Sequence, residues 1–223
     1  MKNKLNSFLI IFLLSCTYTF AQEPTKFSIG ILGGANLQNI NGKAYNGDKL
    51  NNDMLPSWHF GADLQRPIAP DFYFQPGLMY IRKGDKNTST SSTSTTSLSY
   101  IEIPMDMVYK AALGKGFFMI GLGPYLAYGI SGSVKTVSGS LTLDQTIIFK
   151  RIVGSEDNLL VPYYNPFDAG SNLMVGYELE EGVFIQLDSQ FGMLNINPDY
   201  QGITDDQSSA KNTGFGLSVG YRF

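Results

Sequence analysis

After residue 22 no stretch of the chain keeps a helical period. Apolar and polar positions instead alternate with a period of two, segment after segment. The last segment is the clearest. Thr213, Phe215, Leu217, Val219, Tyr221 and Phe223 fall on one face, and Gly214, Gly216, Ser218, Gly220 and Arg222 fall on the other. Successive strand residues point to opposite faces, so such a strand separates two different environments. The same rule predicts seven further strands, over about 27–36, 57–66, 72–82, 98–110, 117–130, 166–179 and 183–193. One face carries Phe, Tyr, Trp, Leu, Ile and Val; the other carries Gly, Gln, Asn and isolated charges.

Eight strands of roughly ten residues match the span of a small transmembrane barrel. The connections predict the same architecture. Segments 37–56, 83–97, 131–165 and 194–211 are long, whereas 67–71, 111–116 and 180–182 are short. Outer-membrane barrels have short periplasmic turns and long external loops, and an even strand count leaves both termini on the periplasmic side. The fold class is therefore expected to be all-β: an eight-stranded antiparallel up-and-down transmembrane barrel. Closure follows from the solvent. Lipid offers no hydrogen bonds, so every backbone group needs a strand partner and no edge is left open. The alternative is a soluble secreted barrel with its apolar face inward. Its outer surface would carry Lys and Glu on most strands, and that pattern is missing here.

The chain begins with a different pattern. Lys2 and Lys4 precede the apolar run 8–14, and Thr19 and Ala21 are small residues at a cleavage-site spacing. This reads as a secretory signal over 1–21, leaving 22–223 as one domain. The apolar run is too short for a membrane-spanning helix. Lipidation at Cys16 is the competing reading of the leader.

Composition narrows the function classes. The 223 residues include 16 Lys plus Arg and 19 Asp plus Glu, a net charge of −3, and charged residues are only 16%. Removing Lys2 and Lys4 leaves 14 basic against 19 acidic residues, or −5. No basic cluster suggests nucleic-acid binding. One Cys and one His exclude a disulfide framework, a Cys-based zinc site and a multi-His metal centre. No cofactor is expected.

Four segments carry a family resemblance: Tyr100-Ile101-Glu102-Ile103-Pro104, Gly121-Leu122-Gly123-Pro124-Tyr125-Leu126, Phe167-Asp168-Ala169-Gly170, and the closing Gly220-Tyr221-Arg222-Phe223. Together they resemble the PorT-like outer-membrane β-barrel family of Bacteroidetes, as does a leader ending Phe20-Ala21-Gln22. The resemblance spans almost all of the mature chain. It implies an outer-membrane location, and a role in protein secretion only by analogy of fold. It also implies that Phe223 is read by the barrel-assembly machinery.

Candidate chemistry lies on the inward face: His59, Asp63, Glu102, Asp106, Lys110, Glu178, Asp188 and Arg222. An eight-stranded barrel is just wide enough to be filled by side chains, so this set is expected to form a polar, partly ion-paired plug. Glu102 is expected to pair with Arg222 or Lys110. Ser57, His59 and Asp63 share a face, but His59 and Asp63 lie roughly 13 Å apart along a strand, too far for a catalytic triad. Residues 88–97 are all Ser or Thr and read as a flexible external loop. Segment 131–165 is unusually apolar. Its Ile147, Ile148, Phe149, Tyr163 and Tyr164 suggest a hairpin or lid over the barrel mouth, or a partner site.

The leading expectation is thus a non-enzymatic outer-membrane barrel acting through its loops or within an envelope or secretion assembly. Its partners would be outer-membrane lipid, the barrel-assembly machinery and envelope proteins. A narrow channel for ions or small solutes is the alternative, and a lipid-modifying hydrolase the minor one.

Overall fold

The computed structural model describes residues 27–202 and 206–223. The expected signal segment 1–21, with Cys16 and Ala21, lies outside the described residues.

Eight strands form a closed ring: β1 (Ser28–Lys43), β2 (Leu55–Ala69), β3 (Phe72–Thr88), β4 (Thr93–Leu113), β5 (Gly116–Ser138), β6 (Phe167–Leu179), β7 (Val183–Gly192) and β8 (Ser209–Arg222). Each pairs antiparallel with its neighbours in sequence, and β8 closes on β1 from Lys43↔Ser209 to Gly30↔Arg222. The up-and-down barrel expected from the alternation is the one observed. No edge remains in the ring, as a wall in lipid requires.

Side chains sort as the pleat dictates. Ile31, Phe60, Leu78, Ile103, Leu122, Leu126, Leu187 and Val219 face outward and are exposed, forming the lipid-facing belt. Trp58, Phe60 and Tyr80 stack on one another across β2 and β3, with ring centroids 5.1–5.7 Å apart. Tyr128 and Phe167 meet edge to face at 5.2 Å. Aromatics at such positions suit the interface, where a flat ring meets both hydrocarbon and water.

The turns on the side of the termini are tight. Pro70-Asp71 joins β2 to β3, Gly114-Lys115 joins β4 to β5, and residues 180–182 join β6 to β7. Asp71 adopts φ 64° and Gly114 φ 63°. Asp tolerates this left-handed conformation better than most residues, and Gly adopts it at no steric cost.

The external side departs from expectation. Segment 83–97 is not a long loop. β3 and β4 continue through it in register to Thr88↔Thr93 and leave only residues 89–92 as a connection. The Ser/Thr run is therefore mostly strand, because Thr is at home in a β-ladder and residues 88 and 93–97 each have a ladder partner. Ser94 Oγ lies 3.2 Å from Thr136 Oγ1 on β5, for example. β5 also outruns its expected end and folds back on the strand Leu141–Thr146, from Ser138↔Leu141 to Ser133↔Thr146.

Beyond that hairpin the chain turns in over the barrel mouth. Ile148–Phe149 pairs in parallel with Tyr163–Tyr164, and Ile152–Val153 pairs with Asp199–Tyr200 of the last loop. Ile147, Tyr163 and Val153 are buried, Phe149 and Tyr164 are half-buried, and Ile148 is exposed. The apolar segment thus contributes a hairpin and, beyond it, Ile147 and Phe149 packed against Ile40, Ile81 and Tyr100.

Candidate functional site: a layered lumen under an external cap

Inward positions of all eight strands fill the lumen in layers. At the periplasmic end Arg222 joins two carboxylates. Its Nη1 lies 2.5 Å from Asp63 Oδ1 and its Nε 2.9 Å from Glu178 Oε2. Lys110 Nζ reaches the other oxygen of Glu178 at 2.7 Å. Register makes this possible, since Gly30 lies between Asp63 and Arg222 on the ladder. A Cβ on Gly30 would stand 2.8 Å from Asp63 Oδ2 and 3.1 Å from Arg222 Nη1, so the glycine leaves room for the pair. Beside this cluster, Val108, Met119, Met174 and Phe184 pack into a small apolar core.

A second ion cluster closes the lumen higher up. Lys83 Nζ sits 2.8 Å from Glu102 Oε2 and 3.0 Å from Asp168 Oδ2, and its side chain is wholly buried. Asn212 Nδ2 donates to Asp168 at 2.9 Å, and Gln190 Nε2 donates to Glu102 at 2.6 Å. The ammonium also lies 4.1 Å from the centroid of the Tyr125 ring. Charge, donors and ring face together compensate a cation taken out of water. This corrects the expected pairing: Glu102 is held by Lys83, while Arg222 and Lys110 share Glu178. Lys83 lies in segment 83–97, which the alternation predicts as a loop, so the sequence carries no sign of its place in the lumen.

Above this cluster Ile40, Ile81, Leu98, Tyr100, Ile147 and Ile196 form an apolar seal. The cap is tied to it by backbone bonds, including Ile147 N to Gly132 O at 2.9 Å, Asn165 N to Ile196 O at 2.8 Å and Ile196 N to Ala210 O at 2.8 Å. Phe149 meets Tyr100 edge to face at 6.1 Å. In the cap Tyr164 is pushed up to about 12, mainly by burial and then by the neighbouring Asp85 carboxylate. Asp85, on the part of β3 beyond the lipid-facing belt, is pushed up to about 6 by burial, against a hydrogen bond from Thr96.

Between the two ion clusters lies a chamber of about 70 Å³. His59, Asp106 and Asp188 line it, together with several side-chain amides. His59 Nε2 lies 2.7 Å from Ser218 Oγ, whose hydroxyl donates to Asp188 Oδ2 at 3.1 Å. His59 Nδ1 contacts Asn36 Oδ1. Ser57 instead donates to Arg82 O, and Asp63 is taken by Arg222. A serine, a histidine and a carboxylate do meet, but in the wrong order for nucleophilic catalysis. The carboxylate accepts from the serine and leaves the far nitrogen of the histidine to an amide. Ser218 is completely buried, out of reach of lipid. Among the described residues no group of three or more His, Cys, Asp or Glu converges to hold a metal ion.

A family model described as outer membrane protein beta-barrel domain matches residues 20–197. No curated protein sequence matches the chain. Among solved structures, Ail, the attachment invasion locus protein of Yersinia pestis, is similar at 12% identity and a TM-score of 0.42, covering 89% of this chain and 99% of that one. Neisserial surface protein A (NspA) is similar at 10% identity and a TM-score of 0.42, covering 88% and 97%. Given the closed ring, its apolar outer belt and a family match over most of its length, the chain belongs to the outer membrane protein beta-barrel domain family and is an outer-membrane β-barrel.

Proposed function

We propose that this barrel is a non-enzymatic member of a larger envelope assembly and that its external cap is the contact surface. The observation that carries the reading is the pair Leu159-Leu160, 68% and 82% exposed, at the tip of a cap that is otherwise pinned by ladder bonds and buried aromatics. An ordered external platform that displays large apolar side chains suits a protein partner. The class of assembly we favour is protein secretion, which resemblance to PorT-like barrels suggests. On this reading Phe223, 72% exposed on the outer face beside Tyr221, is the residue met by the barrel-assembly machinery.

The lumen supports a role without transport or catalysis. An ion cluster fills its lower end, a second ion cluster and an apolar seal fill its upper end, and Ser218 and His59 are buried between them. The test is mild cross-linking in the native membrane of a barrel tagged in the exposed loop at Asn46-Gly47, followed by detergent extraction. A stoichiometric partner is expected with the unmodified cap and not with Leu159→Ser/Leu160→Ser. Recovery of the barrel alone from both would overturn the reading. Conductance in a planar bilayer would then test the channel alternative.

A further inference from the structure

The charges inside the barrel do not balance, and the imbalance is local. Among the described residues six lumen carboxylates (Asp63, Glu102, Asp106, Asp168, Glu178 and Asp188) face three lumen cations, Lys83, Lys110 and Arg222. The lower cluster is neutral, with two carboxylates against two cations. The upper cluster carries one excess negative charge, which Asn212, Gln190 and Tyr125 soften by donating hydrogen bonds. Asp106 and Asp188, in the chamber between, face no cation at all: Asp188 is held only by the neutral donors Ser218 and Gln186. His59 also lines the chamber, with its two ring nitrogens against Asn36 and Ser218.

A second observation is independent of charge. Side-chain oxygens of Gln38, Asn172 and Gln186, and Oδ1 of Asp106, are buried on the chamber wall without a hydrogen-bond partner. Gln38 is 2% exposed, Gln186 7% and Asn172 9%. All four atoms are acceptors and none is a donor. Water alone would satisfy acceptors but would leave two carboxylates uncompensated in a wall surrounded by lipid, where isolated charge is costly.

We propose that the chamber is a cation site, in which Asp106 and Asp188, with the amide oxygens of Gln38, Asn172 and Gln186, hold one partly hydrated divalent ion of the calcium class. Carboxylates, side-chain carbonyls and water are the ligands such a hard ion takes, with six to eight oxygens in flexible geometry. The donor set has no nitrogen or sulfur to favour a softer metal. Two carboxylates match two positive charges. A chamber of about 70 Å³ admits the ion with water, since about 10–15 Å³ of the same measure suffices for one water molecule. The two ion clusters and the apolar seal flank the chamber, so the ion is expected to leave slowly.

The test uses the full barrel refolded in detergent at pH 8 with calcium chloride, stripped with a chelator, desalted and assayed for metal by mass spectrometry. One calcium per barrel is expected to survive stripping. Retention is expected to fall at least tenfold in Asp106→Asn/Asp188→Asn, which keeps the shapes and removes the charge. A wild-type barrel that retains no calcium would overturn the proposal and assign the charge to protons. Equal retention by the variant would also overturn it, by placing the ion elsewhere. If the double variant does not fold, each single variant is read by the same criterion.

Discussion

Lys83 and Asp168 lie 85 positions apart in sequence, on β3 and β6, yet their side chains meet at 3.0 Å with no exposed surface on either. This contact crosses the lumen and couples opposite walls of the barrel. It also decides where the upper half of the lumen is vulnerable. Removing one partner of a buried pair leaves an uncompensated charge, which costs far more than the pair itself contributes.

Lys83→Met is therefore expected to destabilise the barrel by about 3–5 kcal/mol, because two carboxylates, Glu102 and Asp168, lose their cation together. Urea unfolding from lipid vesicles, followed by tryptophan fluorescence from Trp58 and by gel mobility, checks this. A loss below about 1 kcal/mol would mean that protons or ions replace the ammonium.

The lipid belt and the cap should respond unequally to the same substitution. Leu122, on β5 between Met107 and Leu173, is 64% exposed on the outer face. Leu122→Arg should cost about 2–4 kcal/mol near the bilayer midplane. Leu160→Arg, at 82% exposure in the cap, should change stability by less than about 0.5 kcal/mol. Equal effects in the same vesicle assay would contradict the placement of the membrane.

Gly129 faces Phe149, and a Cβ there would stand 2.8 Å from the ring's Cδ1 and closer still to its edge. Gly129→Val should push Phe149 out and release the cap while leaving the ring of strands closed. Trypsin should then cut quickly after Lys150 and Arg151, with the heat-modifiable mobility of the barrel retained. Lys150 is otherwise held by Asp157, whose carboxylate oxygens both lie 2.6 Å from Nζ.

Asp85 makes the crown above the membrane pH-sensitive. Its folded value of about 6 lies above the ordinary 3.8, so the folded chain holds a proton that the unfolded chain has lost. Stability from this group is complete below about pH 4, falls as pH rises to about 6, and is flat above. Hydrogen exchange of the β3–β4 hairpin should quicken across that window in the wild type. Asp85→Asn should abolish the change; an unchanged slope would assign it to another group.

The eight membrane-crossing segments were legible because lipid and lumen impose opposite polarity on alternate residues. Where that contrast ends, so does the signal in the sequence. Lys83, Gly84 and Asp85 and the Ser/Thr run continue β3 and β4 above the membrane with no apolar face to reveal them. The inward set was legible residue by residue, since the pleat fixes which side chains enter the lumen. Its partners were not. Glu102 meets Lys83, rather than Arg222 or Lys110, because of strand stagger around the ring, which local alternation does not encode. Ile196, between two asparagines in the last loop, carries no such signal, and only the folded cap shows it to be fully buried.

The unequal lengths of the strands give the molecule a tall side and a low side. β4 has 21 residues and β5 has 23, whereas β7 has 10. At about 3.3 Å per residue and a tilt of about 40°, the longer pair rises roughly 50–60 Å along the barrel axis, against an apolar band of about 25 Å. Because the turns at their lower end are tight, most of the surplus stands on the outer side as a rigid fin. A fin of that height carries its hydroxyl-rich ridge clear of the lipid headgroups. Anything approaching the barrel along the membrane therefore meets a wall from one direction and an open step from the other.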